Sequence, residues 1–403
     1  MDESTTRISS QTILISSRRL PMKIKQHQWT VEQDWQVSNA QEAMLLPNAQ
    51  LVLIFGETAI LKLGKPLESL RSVYPNAHFL GCSTAGEISD TQVTDRQSLV
   101  ATAIQFDQTT IFSNAIELEP HQTSFQAGAK LAQTFESKDL VHLFVLSDGL
   151  AVNGSDLIRG IRSQLPENVT FTGGLAGDGT RFQETLILWN NIIGPNFIAA
   201  VGFYGDRLKV GYSSLGGWKP FGPKRLITKS KGNILYELDG QSALELYKKY
   251  LSNHATGLPA TGLLFPLSLQ GYNNDRSVVR TILAIDETNQ SMTFAGDVPE
   301  GHIVQLMQSN VECLVNGAIE AAESSLNGTN GIAPELAILI SCVGRKLVLK
   351  QRVEEEIEGI REVMGKATIL TGFYSYGEIG PAEFGELCQL HNQTMTITTL
   401  LEQ

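Results

Sequence analysis

Gly81-Cys82-Ser83-Thr84-Ala85-Gly86-Glu87-Ile88 returns near the other end of the chain as Gly372-Phe373-Tyr374-Ser375-Tyr376-Gly377-Glu378-Ile379. Both octamers are Gly-x-x-x-x-Gly-Glu-Ile, with hydroxyl side chains between the glycines and a carboxylate at the end. Upstream of the first lie an apolar run, Leu51–Phe55, and a helix-like stretch around Pro66–Tyr74. Upstream of the second lie Leu336–Ile340 and a helix-like stretch around Leu349–Met364. The shared order is a diverged duplication of strand–helix–strand–turn units. It sets the fold class as α/β (mixed α+β): two related units with mixed, largely antiparallel sheets covered by helices, an internal pseudo-repeat. Gly173-Gly174-Leu175-Ala176-Gly177-Asp178 reads as a third, more worn version of the same turn.

The 403 residues exceed the ~250–300 at which one hydrophobic core stops growing, so two domains are expected. The Gly/Pro-rich stretch Asn253–Pro266 marks the boundary, giving a lead-in at 1–34 and domains at 35–252 and 253–403. Residues 1 to about 26 read as a loosely attached segment without periodicity. A short helix is expected over Asn39–Leu46, and a meander of strands through Leu99–Phe106, Thr110–Leu118, Leu140–Leu146 and Thr185–Ser213. Gly216–Pro223 is expected to be irregular, since its prolines and glycines remove donors and fixed dihedrals. One long helix is expected over Gly301–Leu326. The Glu354-Glu355-Glu356…Glu358 run reads as a solvated helix face.

A net charge of −11 without a basic block disfavours nucleic acid and anionic membrane as partners. No apolar run approaches the ~20 residues of a membrane span, and the N-terminal Ile13-Leu14-Ile15 is too short for a secretory signal core. A cytoplasmic protein is expected. Cys82, Cys313, Cys342 and Cys388 are scattered, with neither zinc spacing nor a disulfide framework. Leu146–Asp156 has the strand–loop–helix layout of an anion site, with Ser155 as the expected helix cap. It lacks the P-loop lysine, however, and carries two aspartates that would repel phosphate.

In order, Gly81–Ile88, Ser147-Asp148-Gly149, Gly173–Asp178, Gly217–Pro223, Glu237–Ala243, Asp297–Gly301, Ser341–Arg345, Gly372–Pro381 and Leu390–Thr394 resemble the FIST (F-box and intracellular signal transduction) sensory domain family, both halves. The resemblance spans roughly residues 35–400. It implies a ligand-sensing module that recognises small molecules such as amino acids. It also implies a haem-binding nitric-oxide sensor as the alternative, regulating a histidine kinase or a cyclic-di-GMP enzyme. With no room for an output module, signalling to a partner in trans is expected.

The residues add a chemical reading. Glycines let main chain approach a ligand, and hydroxyls supply donors and acceptors. Candidate ligand-binding residues are therefore Ser83, Thr84, Gly86, Glu87, Gly174, Asp178, Arg345, Tyr374, Ser375 and Glu378, in a cleft between the two related halves; a homo-oligomer is a separate expectation. Trp218 and Tyr376 are candidate apolar walls. Glu87 or Glu378 could hold an ammonium group, or simply fasten its own turn. Arg345 could pair with a ligand carboxylate or with a glutamate of the protein. Haem would need one axial ligand, and His78, His121, His142, His254, His302 and His391 are all candidates. A thiol- or Ser-dependent enzyme, using Cys82 with His78 or Cys342 with His391, is a third class.

Overall fold

The computed structural model describes residues 22–37, 46–94, 97–270 and 277–403. Three copies of one five-strand topology make up most of it. The first copy contains β1 (Lys23–Thr30), β2 (Leu51–Gly56), β3 (His78–Ser83), a short arm β4 (Glu87–Ser89) and β5 (Ser98–Gln105). The second contains β6 (Thr110–Glu117), β7 (Leu140–Ser147), β8 (Thr170–Leu175), the arm β9 (Ile187–Trp189) and β10 (Phe197–Tyr204). The third contains β11 (Leu208–Leu215), β12 (Leu336–Cys342), β13 (Ile369–Ser375), the arm β14 (Gly377–Gly380) and β15 (Met395–Glu402).

In every copy the second and third strands are parallel neighbours. The fifth strand runs antiparallel to the second, and the first antiparallel to the fifth. Each arm leaves its own copy and joins the next: β4 pairs with β13, β14 with β8, and β9 with β3. The exchange is cyclic. The two units read from the octamers are joined by a third, built around Gly173–Asp178, in a threefold arrangement with one strand order in all three sheets.

The second strands are largely apolar because both faces are covered. Leu51–Gly56 and Leu336–Cys342 are buried at every position. Phe55, Phe144, Phe373 and Ile340, drawn from all three copies, belong to one core where the inner sheet faces meet, with Phe55 and Phe373 ring centroids 4.7 Å apart. Amphipathic helices cover the outer faces. Gly154–Arg162, for example, buries Leu157, Ile158 and Ile161 at helical spacing.

An insertion between β11 and β12 forms a fourth, eight-stranded sheet carrying the Ala243–Leu251 helix. It departs from expectation in two places. Lys219–Lys231 is one long strand, so Lys219–Pro223 is not irregular; the register shift between Phe221 and Arg225 accommodates the prolines as a bulge. The helix expected from Gly301 starts only at Val311, with Asn310 capping the Cys313 amide at 2.8 Å. Ile303–Gln308 before it is a strand between two others, its side chains unevenly exposed.

Smaller differences have equally local causes. Asn153, not Ser155, caps its helix by accepting from the Ser155 and Asp156 amides. The helix expected through Leu349–Met364 breaks at Lys350, whose φ is +53°, into Val343–Leu349 and Glu354–Met364. Glu356 is fully buried, unlike its neighbours in the acidic run. Strand β1 begins inside the stretch expected as a lead-in. Residues 1–21 of that lead-in, and the helix expected at Asn39–Leu46 apart from its last residue, lie outside the described residues.

Candidate functional site

Three turns, one per copy, meet on the threefold axis. The Ala85 amide donates to the Tyr374 carbonyl at 2.8 Å, Tyr376 to Leu175 at 3.2 Å, and Gly177 to Ser83 at 2.9 Å. These are equivalent bonds in a closed ring. Gly81, Gly173 and Gly372 occupy equivalent places where each turn begins. A Cβ there would lie 2.1, 1.8 and 1.8 Å from the carbonyl oxygens of Ile54, Val145 and Leu339. Glycine is therefore required by backbone contact alone.

The two glutamates close their own turns. Thr84 Oγ1 donates to Glu87 at 2.5 Å, and Ser375 Oγ donates to Glu378 at 2.6 Å, the same i,i+3 bond in both octamers. Ser98 Oγ at 2.5 Å and Thr94 Oγ1 at 3.3 Å complete the Glu87 shell. The Thr394 amide at 3.1 Å and its Oγ1 at 2.9 Å complete that of Glu378. Burial raises Glu87 to about 7 and Glu378 to about 8, against hydroxyl hydrogen bonds and the charges of Lys346 and Arg345 that pull the other way.

The third turn carries no such glutamate. Its register matches Ile187 to the place of Glu87, and nine residues separate Gly177 from Ile187 where one separates Ala85 from Glu87. The longer loop is pinned by Asp178, which accepts from the Phe182, Gln183 and Glu184 amides at 2.9–3.0 Å and from the Tyr376 hydroxyl. Gly179, Thr180 and Arg181 then lie over the first turn.

There a cavity of about 550 Å³ opens between all three copies. Its polar lining is Glu57, Thr84 and Glu87 from the first copy, Thr180 and Arg181 from the second, and Lys346 and Lys350 from the third. Ala85, Val343 and Leu347 supply apolar wall. Arg181 lies 3.7 Å from Glu57 and 3.9 Å from Asp178. Lys346 donates to the Ala85 carbonyl at 2.8 Å, with its ammonium 5.5 Å from the Tyr374 ring centre. Glu57 also accepts from the Gln97 amide at 2.7 Å.

Of the residues singled out from the sequence, Thr84 and Glu87 line this cavity. Gly86 abuts it, since a Cβ there would sit 2.6 Å from Lys346 Nζ. Ser83 accepts from the Leu186 amide, and Gly174 is paired opposite Glu378 on β14. Ser375 and Glu378 hold the second turn, and Asp178 anchors the long loop. Arg345 is fully buried on Glu356 at 2.7 Å and on the Leu314 carbonyl at 2.8 Å. Tyr374 donates to the same Glu356 at 2.6 Å. Trp218 donates to the Gln393 carbonyl at 2.9 Å and is not among the lining residues. Sequence reasoning missed Glu57, Arg181, Lys346 and Lys350. Lys346 directly follows the flagged Arg345 and was the available signal.

Among the six histidines named as haem candidates, His78, His142 and His391 are engaged in hydrogen bonds. His142 bonds Thr170 and Thr172 through both ring nitrogens, at 2.7 and 2.9 Å, and burial depresses it to about 3. His391 bonds the Gly380 carbonyl at 2.9 Å, and His78 bonds Ser113 at 2.8 Å. No histidine lines the 550 Å³ cavity. Burial pushes the Cys82 and Cys342 thiols well above their ordinary range.

Residues 50–241 match the model of the FIST N domain, and residues 243–381 match that of the FIST C domain. An uncharacterized protein of Methanocaldococcus jannaschii is 23% identical over 332 residues, 76% of this chain. The match spans 62% of that relative's length. Among solved structures, a cyanuric acid hydrolase from A. caulinodans aligns over 95% of this chain and 99% of its own, with TM-score 0.38 and 7% identity. A second cyanuric acid hydrolase structure aligns over 95% and 100%, with TM-score 0.34 and 6% identity.

Proposed function

The chain belongs to the FIST family of signal-transduction sensory domains, and on that premise we propose that it senses a small polar ligand, an amino acid, in the cavity between its three copies. The observation that carries this reading is the lining itself. Arg181, Lys346 and Lys350 face Glu57 and Glu87 across about 550 Å³, a volume typical of small-molecule sites. Cations can pair with a ligand carboxylate while Glu57 accepts from its ammonium group. Because each copy contributes, a bound ligand changes contacts among all three at once. That is what a sensor needs in order to pass its state to a partner protein, with a kinase or cyclic-nucleotide enzyme as the proposed class.

A cytoplasmic setting is part of the same proposal. No helix among the described residues is long and apolar enough to cross a membrane. Haem sensing is the weaker reading, since no observation at the cavity favours it. A thermal-shift screen of the twenty amino acids tests the proposal. A stabiliser is expected, and its effect should vanish in Lys346→Met; a folded protein stabilised by none of them counts against it.

A further inference from the structure

Threefold repetition offers an internal comparison of sheet edges. At one end of each of the three sheets the outermost strand is β1, β6 or β11, or a short strand added to it. The edge of β1 is capped by Gln36–Val37, which pairs with Gln28 and His27. The edge of β11 is covered by the chain itself: the Ser214 amide donates to the Ala382 carbonyl at 3.1 Å, and Gly328 packs directly on Gly211. Strand β6 pairs with β10 on one side and, among the described residues, with no strand on the other. Its Ala115 amide is taken up by the side chain of the preceding Asn114 at 2.8 Å.

Such an edge is normally blunted with lysine, proline or brevity. Here Thr110-Ile111-Phe112-Ser113-Asn114-Ala115-Ile116-Glu117 has eight residues, neither lysine nor proline, and one charge at its end. Phe112 is 42% exposed, and Phe125 on the flanking helix is 40% exposed. Four of eight residues are buried in β1 and five of eight in β11, against one of eight in β6.

We propose that β6 pairs antiparallel with β6 of a second copy of this chain, joining two sheets across a twofold axis. A strand is its own complement in this geometry, and a twofold contact is isologous. Antiparallel pairing keeps the two Glu117 carboxylates at opposite ends, so no like charges face each other. The Asn114 amide is a local stand-in that the partner strand displaces, and the two Phe112 rings lose their exposure. The contact lies on the second copy and uses none of the cavity residues.

Sedimentation equilibrium of the full chain tests this directly. The expected result is a mass rising from the 44.0 kDa monomer to twice that value as concentration increases. Phe112→Lys places a charge on the edge, and Ala115→Pro removes an edge donor. Each is expected to weaken association at least tenfold. Because Ala115→Pro risks the strand itself, Phe112→Lys, at an exposed position, is decisive once its circular dichroism matches wild type. A protein that stays monomeric up to about 100 µM overturns the proposal. So does a dimer that Phe112→Lys leaves unchanged.

Discussion

Lys346 lies with its ammonium 5.5 Å from the centre of the Tyr374 ring, tying a cavity-lining residue to the buried centre of the molecule. The Tyr374 hydroxyl donates to Glu356, whose other oxygen is held by Arg345, and Arg345 reaches the carbonyls of Gly216 and Leu314. The chain of contacts thus runs from the cavity to the helix Val311–Ser325 and to the residues leading into the inserted sheet. Glu356 and Arg345 are both fully buried, so their pairing is costly to break from one side.

Arg345→Met is therefore expected to cost about 3–5 kcal/mol, because it strands the Glu356 carboxylate in the interior. Lys346→Met, at a partly exposed position, is expected to cost about 1 kcal/mol or less. Urea unfolding midpoints separate the two. Equal losses would show that the Arg345–Glu356 pair is not the structural anchor described.

The buried glutamates set the alkaline limb of stability. Burial raises their folded values from the ordinary glutamate value of 4.5, to about 7 for Glu87 and about 8 for Glu378. The folded state thus holds protons that the unfolded chain has released. This contribution is complete below about 4.5 and is lost as pH rises through 7–8. The melting temperature should fall between pH 6.5 and 9, and Glu378→Gln should flatten that fall. An unchanged slope in the variant would contradict the assignment.

Gly81→Ala and Gly372→Ala should each prevent soluble expression or cost several kcal/mol, since the new methyl meets a neighbouring strand carbonyl at 2.1 or 1.8 Å. Soluble expression and chemical denaturation measure this. Wild-type stability in both would mean that the parallel strands do not approach as described.

Protein expressed with excess haem is expected to show no Soret band, since no histidine lines the cavity and His142, His391 and His78 are hydrogen-bonded to Thr170 and Thr172, Gly380 and Ser113. A band lost on substitution of one histidine would restore the haem reading. His142→Ala should instead lower stability, by leaving two hydroxyls without their imidazole partner.

Much of the fold is legible in the sequence because the repeat is written in backbone requirements. Gly81, Gly173 and Gly372 recur where two strands touch, and the apolar runs before them recur where both sheet faces are covered. Arm exchange is not legible: Glu87-Ile88 and Glu378-Ile379 look like strand ends belonging to their own units, and only tertiary pairing sends them to neighbours. Strand Ile303–Gln308 was hidden because Ile303 and Met307 continue the helical stripe of Val311 and Leu314. Composition could not separate Glu356 from Glu354 and Glu355, since its burial depends on Arg345 eleven positions away. At the site, Thr84 and Glu87 were visible through their motif. Arg181 was not, because the third turn carries it on a longer loop that replaces the motif.

The central claim is that the cavity between the three copies binds an amino acid, and isothermal titration calorimetry of wild type, Arg181→Met and Lys346→Met tests it most directly. The account predicts saturable binding of at least one amino acid to wild type, and a loss of about tenfold or more in affinity, ~1.4 kcal/mol, in each folded variant. Binding that both variants retain at wild-type affinity would contradict it.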